Sequence, residues 1–365
     1  MRGPARNRRA FFQSGMDPFW NRISGAMDLK EPLAFLGFDR SYVKLRREAM
    51  ATDVEVLYCN YEKMEMRRAA SKVLSEIDYY DSLLNIWKGE SEFKKLNQQA
   101  AKAPVQVREE IFALVKLAKE YHAKTGGAFD ITATPLVRCW GFFQREGRVP
   151  SREKIDQALS CVGMDYVELD EEKRTIYFRK EGVELTPASL GKGYALDRAM
   201  EAAHENKLKT VLINGGFSSV LASGAPKWRD SWQIDVRNPY NHEAPLAHVR
   251  LRNQGFSSSG SELQQFEYEG KTYGHIIDPR TGWPAGHMVN VNVIAPTAAE
   301  AEALSTAFYV MGVEKTLKYC ENHRDIGVLM LCSPDEKGRA EVKTANLNQD
   351  GVEVLIPSCQ TRRVT

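Results

Sequence analysis

The sequence predicts an α+β fold with a largely antiparallel sheet. Stretches of period two end in hairpin-type turns more often than they alternate one-for-one with helices, and several stretches of period 3.6 are long enough to be packed helices. No repeat, low-complexity tract or Pro/Gly/Ser-rich linker breaks the pattern, so residues 41–360 read as one unit, large enough to hold two lobes.

Val54, Val56 and Tyr58 alternate with other residues, as in a half-buried strand. Met66, Ala70, Val73, Ile77, Tyr80 and Leu84 then share one face of a helix expected over 63–87. A second helix is expected over 105–124, with Ile111, Leu114, Val115, Ala118 and His122 on its stripe and Gly126-Gly127 as its stop. His122, in the last turn, reads as a solvated or dipole-facing side chain. Tyr166–Leu169 and Thr175–Arg179 flank an acidic turn as a hairpin. A helix over 190–206 leads into the strand Thr210–Ile213, and further strands fit Trp232–Val236, Ala247–Leu251, Tyr273–Ile277 and Val289–Ile294. A helix over 297–311 turns Ala301, Leu304, Ala307 and Phe308 inward, and strands at Ile326–Cys332 and Val342–Lys343 complete the pattern.

Composition excludes several function classes. The chain has 365 residues, 43% hydrophobic and 27% charged, enough to bury a core without disulfide or metal staples. Lys and Arg total 50 against 48 Asp and Glu, a net +2, so there is no field for gathering nucleic acid or anionic membrane. No apolar run approaches the ~20 residues of a spanning helix. The six cysteines form no CxxC pair, and Cys320 and His323, at metal-ligand spacing, have no second pair to complete a zinc site. Arg8-Arg9-Ala10-Phe11-Phe12 looks like the start of a twin-arginine export signal, yet no apolar region or lipidation cysteine follows. Residues 1–40 therefore read as a basic, poorly ordered leader, and a cytoplasmic location is the default expectation.

Four segments break the core pattern by clustering Gly, hydroxyl, acid and His residues. Gly126-Gly127-Ala128-Phe129-Asp130-Ile131-Thr132 is a glycine pair that could bring backbone N–H groups to a flat or anionic ligand, with Asp130 fixing orientation; the plain alternative is a helix C-cap. Thr186-Pro187-Ala188-Ser189-Leu190-Gly191-Lys192-Gly193 leads into a helix whose N-terminus and Lys192 suit phosphate, or is an ordinary cap with a solvated lysine. It matches neither a P-loop nor GxGxxG. Ser257-Ser258-Ser259-Gly260-Ser261 precedes His275-Ile276-Ile277-Asp278-Pro279-Arg280-Thr281-Gly282, the most specific string in the chain. It combines a candidate base at a strand end with candidate phosphate binders, against the alternative of a turn that Arg280 ties down. Finally, Glu302 and Thr306 share a helix face beside Ser305, an oxygen set suited to a hard cation such as Mg²⁺.

As an ordered set these segments resemble the ApbE family of FAD:protein FMN transferases. Met50-Ala51-Thr52 is similar to its opening Met-Gly-Thr, Ser91 to Asn97 to its Ser-x-x-(Ser)-x-Leu-Asn element, and Gly127 to Phe142 to its Gly-x-Phe-Asp…Trp-Gly-Phe. Trp232, Val236, Arg237 and Pro239 fit its Arg-(Asp)-Pro strand, and residues 275–282 its signature. The resemblance, over about 48–315, implies a T-fold-like α+β architecture that binds FAD with Mg²⁺ at the diphosphate. It implies transfer of the FMN half to a Thr or Ser hydroxyl of a target flavoprotein, with release of AMP. Carried over by position, Met50 and Trp87 would pack on the flavin or adenine. Ala128, Phe129, Asp130, Thr186, Lys192 and Ile276 would contact the nucleotide. Ser189, Glu302, Ser305 and Thr306 would hold the metal, and His275 would be the base. Thr186 stands where the family has an acid, Ala188 and Ser189 where it has two glycines, Ile213 and Phe217 at two of its polar positions, and Glu302 at its metal-binding aspartate. Two other readings stay open, an FAD pyrophosphatase and a flavin-binding protein without turnover.

Overall fold

β1 (Tyr42–Ala49) and β2 (Thr52–Cys59) form a hairpin whose two-residue turn, Met50-Ala51, has both φ angles positive, at 52° and 57°. Such a turn matches the right-handed twist of its strands but normally takes Asn or Gly. Here the Asp81 carboxylate steadies it by accepting from Met50 N at 2.9 Å. Asp81 lies on α1 (Met64–Leu84), whose buried Ala70, Val73, Ile77, Tyr80 and Leu84 are three or four residues apart. In this computed structural model the described residues are 42–59, 64–86, 91–216, 218–227, 229–241, 243–262, 264–286, 288–335, 339–347, 352–355 and 358–360. Trp87, Phe217 and the leader expected over 1–40 lie outside them.

Next come α2 (Glu92–Gln99), capped by Ser91 Oγ accepting from Lys94 N at 3.1 Å, then β3 (Val105–Gln106), α3 (Glu109–Lys124), α4 (Thr134–Cys139) and α5 (Arg152–Leu159). β4 (Val167–Asp170) and β5 (Thr175–Phe178) form the expected hairpin. The helix expected from residue 105 begins at Glu109, because Val105 and Gln106 pair with Ile176 and Thr175 of β5. That long-range ladder overrides the local periodicity.

α6 (Gly191–Glu205) precedes β6 (Val211–Gly215) and β7 (Ser219–Ser223). β8 (Trp232–Val236), β9 (Ala247–Leu251), β10 (Gln254–Gly260) and the hairpin β11 (Gln265–Tyr268) and β12 (Lys271–Gly274) follow. The strand expected over Tyr273–Ile277 ends at Gly274; His275 and Ile276 leave the ladder, and Ile277 keeps only a bridge to Pro284. The chain continues through β13 (Met288–Ala295), α7 (Ala298–Met311), α8 (Val313–Glu321), β14 (Gly327–Cys332), β15 (Arg339–Ala345), β16 (Val352–Val354) and β17 (Ser358–Gln360).

Among the described residues nine strands make one sheet in the order β1-β2-β6-β7-β10-β13-β14-β15-β17, antiparallel at every pairing. One face carries the main core beneath α1, α6 and α7. On the other, β16-β9-β8 seal a second core around Trp232, Leu246, Leu251, Phe256 and Leu331. A third cluster of Leu136, Trp140, Phe142, Ile155, Phe266 and Ile277 fastens α4 and α5 to the β11–β12 hairpin.

α7 is buried on nearly every side, as a helix held between sheet and helices must be. Its N-terminus meets α6 at Gly193, where a Cβ would lie 2.4 Å from the Ala298 carbonyl oxygen. Glycine there permits the close crossing that sets the spacing of the two helices. Asp197 of α6 caps α7, its carboxylate accepting from Ala298 N at 2.8 Å and Ala299 N at 2.9 Å.

Candidate functional site

α7 carries Glu302, Ser305 and Thr306 toward α6 and β10. Ser305 Oγ lies 2.8 Å from Ser259 Oγ, 3.3 Å from Ser257 Oγ and 3.0 Å from the Glu302 carbonyl oxygen. Thr306 Oγ1 lies 3.3 Å from Ser259 Oγ. Glu302 is buried, and its Oε2 accepts the Gly193 N–H at the start of α6. Burial pushes its carboxyl above the usual carboxylate range, against the opposing pull of the Lys192 charge and the Gly193 N–H. Lys192 Nζ donates to Ser218 Oγ at 2.5 Å, and the Ser218 carbonyl accepts from Ser257 Oγ at 3.0 Å. Lys192 is thus half-buried and engaged rather than solvated.

This donor set is oxygen only. Mg²⁺ takes one or two carboxylates and fills its octahedron with substrate phosphates and water, so Glu302, Ser305 and Thr306 fit a Mg²⁺ that arrives with a diphosphate. Among the described residues no group of three His, Cys, Asp or Glu side chains could hold a metal by itself, so phosphate oxygens would complete the charge. Ser189 lies in the turn two residues before α6 and makes no hydrogen bond to that set among the described residues.

The glycine turn after α3 is built as a helix stop. Gly126 and Gly127 have φ of +59° and +76°, and Gly127 N donates to His122 O at 2.9 Å. Asp130 Oδ1 accepts from Thr132 N at 2.7 Å and Thr132 Oγ1 at 2.5 Å, while Oδ2 meets His122 Nδ1 at 3.1 Å. His122 is therefore not the solvated side chain its position suggested: the Asp130 hydrogen bond raises its pKa above the usual histidine value, more than burial lowers it. The Asp130 side chain is 2% exposed, and these three contacts shape the turn. Ala128 and Phe129 point into the main core. Phe129 N donates to Thr125 Oγ1, and its carbonyl meets His122 Nδ1.

The turn is nevertheless next to the other segments. A Cβ at Gly127 would lie 3.6 Å from Arg280 Cγ, and Thr186 N donates to Ile131 O at 2.8 Å. Thr186 Oγ1 accepts from Ala188 N at 3.4 Å, closing its own turn. Met50, in the strained hairpin turn, packs half-buried against the main core.

Beyond β12 the chain folds into a tight loop. Asp278 N donates to Trp283 O, Gly282 N to Asp278 O and Ala285 N to Ile276 O, each at 2.8 Å. Arg280 grips Asp278 through Nε and Nη2, both at 2.8 Å, so the arginine offered by the sequence as a phosphate binder is occupied in its own turn. Ile276 is buried in the core. His275 N and Nδ1 both face the Gln264 carbonyl, at 3.1 and 3.3 Å. A carbonyl partner requires the proton on Nδ1 and leaves Nε2 as an acceptor. Burial lowers the His275 pKa below the usual histidine value, more than the Gln264 carbonyl raises it, so the ring is neutral at pH 7. Gln264 in turn is fixed by Nε2 donating to Phe142 O at 3.0 Å.

The sequence did not single out Ser218 or Gln264, nor a role for Ser257 and Ser259. The serine run was visible as a hydroxyl cluster, but its pairing with α7 spans nearly fifty residues.

Helices stacked on one face of a broad antiparallel sheet, with the four segments joined in space, define an ApbE-like α+β protein. The ApbE family model matches residues 50–330, and the chain belongs to the ApbE family. A Klebsiella pneumoniae (strain 342) protein named FAD:protein FMN transferase is 33% identical over 268 residues, spanning 72% of this chain and 76% of its own length. The Escherichia coli (strain K12) protein of the same name is 33% identical over 254 residues, 67% of this chain and 71% of that one. The ApbE protein of Thermotoga maritima superposes with a TM-score of 0.73 at 30% identity, covering 80% of this chain and 94% of that one. The flavin transferase ApbE of Vibrio cholerae has the same fold, with a TM-score of 0.72 at 22% identity over 83% of this chain and 96% of that one.

Proposed function

We propose that the chain is a Mg²⁺-dependent FAD:protein FMN transferase acting on a Thr or Ser hydroxyl of a target flavoprotein. The observation that carries the reading is the meeting of Lys192 and Gly193 on α6, Ser257 and Ser259 on β10, and Glu302, Ser305 and Thr306 on α7 at one place. The names of the relatives support it.

Phosphoryl transfer depends on placement and on neutralised charge more than on covalent help from the protein. Lys192 supplies positive charge, and the N-terminus of α6 adds its dipole. Bound at Glu302, Ser305 and Thr306, Mg²⁺ would withdraw charge from the diphosphate and so ease departure of AMP. The acceptor hydroxyl oxygen bonds to the phosphorus of the FMN half, the P–O bond to AMP breaks, and the hydroxyl proton passes to His275 Nε2. The Gln264 carbonyl holds the required tautomer throughout.

Incubation with FAD, Mg²⁺ and a flavin-acceptor protein tests the reading. AMP together with covalent flavin on the acceptor supports it. Free FMN without any acceptor would select the pyrophosphatase instead, and tightly held but intact FAD a binder without turnover.

A further inference from the structure

The turn between β6 and β7 carries a hydroxyl with a single hydrogen-bond partner. A Cβ at Gly215 would lie 3.3 Å from Lys192 Cδ, so glycine leaves room for the lysine stem to cross the end of β6 and reach Ser218. The main chain holds Ser218 in place. Its N–H donates to Gly216 O at 2.8 Å, and its carbonyl accepts from Ser258 N at 2.9 Å and Ser257 Oγ at 3.0 Å.

A serine hydroxyl has one proton and two lone pairs, and an ammonium has three protons. Lys192 Nζ gives one proton to Ser218 Oγ at 2.5 Å, which uses one lone pair. The Ser218 hydroxyl proton and the other two ammonium protons meet no protein acceptor among the described residues. Glu302 takes the Gly193 N–H and makes no ion pair with Lys192 among those residues. Three donors on two half-buried side chains thus lie within one hydrogen bond of each other. An anion with several acceptor oxygens satisfies them, and a diphosphate is such an anion. A hydroxyl that accepts from a cation is also polarised into a stronger donor.

We propose that Ser218 binds the FAD diphosphate directly, its hydroxyl donating to a phosphate oxygen that Lys192 also contacts. This inference rests on the transferase reading only for the identity of the ligand. Ser257 Oγ, which donates to the Ser218 carbonyl, accepts from Ser305 Oγ at 3.3 Å, so Ser218 and the hydroxyls of α7 belong to one frame. A diphosphate held at Lys192 and Ser218 therefore reaches toward Glu302, Ser305 and Thr306. A phosphate monoester has its second pKa near ~6, so AMP departs at neutral pH without a proton from Ser218. The hydroxyl contributes a hydrogen bond present before and during transfer, and its worth is read in FAD affinity.

The test measures FAD affinity of the full chain by flavin fluorescence with Mg²⁺ present, and uses inorganic diphosphate as competitor. Ser218→Ala weakens FAD and inorganic diphosphate about tenfold each, the loss expected for a hydrogen bond to a charged group. Ser218→Thr, which keeps the hydroxyl, stays within about threefold of the parent. A serine that only holds Lys192 in place would give the same result, so the double variant decides. In a Lys192→Met background, Ser218→Ala costs about a further fivefold in FAD affinity if the hydroxyl touches phosphate itself. No further loss shows that Ser218 acts only through Lys192 and overturns the proposal, as does unchanged affinity in Ser218→Ala alone. A parent chain that binds FAD but transfers no flavin removes the transferase reading and leaves this inference standing, whereas a parent that binds no FAD removes both.

Discussion

A histidine accepts a proton only while its ring is neutral and its free nitrogen faces the substrate. At His275 burial favours the neutral ring and the Gln264 carbonyl selects Nε2 as the free nitrogen. The rate of flavin transfer should therefore rise with pH through a midpoint below the ordinary histidine value of 6.5 and be flat across neutrality. A rise centred above that value would show a different group titrating. His275→Ala should lower the rate ~10²–10⁴-fold, the usual worth of a positioned base, in a single-turnover assay. Glu302→Gln leaves an amide oxygen able to accept the Gly193 N–H but removes the negative charge, so Mg²⁺ titration of activity should shift to higher concentration. Identical metal dependence would place the ion elsewhere. Ala51, at a φ of 57°, is a residue with a Cβ in the left-handed region, which costs ~1 kcal/mol. Ala51→Gly relieves that strain at the expense of a freer unfolded chain, and should raise the midpoint of urea unfolding or leave it level; a clear fall would show that the turn needs the methyl.

At the level of elements, α7 is the member on which the site depends, and its start is fixed by Asp197. Burial raises the Asp197 carboxyl to about 6 despite two N–H donors. The folded chain thus keeps a proton to about pH 6 that the unfolded chain releases near pH 4. Between those values the folded state binds more protons, so stability falls as pH rises, by on the order of 3 kcal/mol in all. Asp197→Asn should remove this slope from a plot of unfolding free energy against pH, and a slope that survives would assign it to other groups. Asp197→Ala, leaving two helix-terminal N–H groups unpaired, should destabilise by about 2 kcal/mol at neutral pH. α1 and α6 carry a 3.6-residue apolar stripe and are found within a few residues of expectation, while α7, buried on nearly every side, is found at Ala298–Met311 against the expected 297–311. α2, at eight residues, is too short for periodicity to mark, although Ser91 is a cap signal. β1 was unseen because it is an edge strand with exposed Lys44, Arg46, Arg47 and Glu48 interrupting any alternation.

Across the whole molecule, long-range pairing decides what local pattern leaves undetermined. The sequence placed hydroxyls at 257–261 and oxygen ligands at 302–306; only the antiparallel sheet brings β10 under α7 and makes them one surface. Asp130, Phe129 and Arg280, each read in the sequence as either ligand-facing or part of a turn, have partners within the fold: Thr132 and His122 at Asp130, the core at Phe129, and Asp278 at Arg280. The Asp278–Arg280 and Asp130–Thr132 pairs are two residues apart, so local spacing leaves the turn reading and the ligand reading equally open. The proposed function requires the α6–α7–β10 junction and His275 to act in a single transfer. Mass spectrometry of an acceptor flavoprotein incubated with this chain, FAD and Mg²⁺ decides the matter: one FMN joined by a phosphoester to a Thr or Ser hydroxyl with equimolar AMP is expected, and an unmodified acceptor beside intact FAD would rule the transfer out.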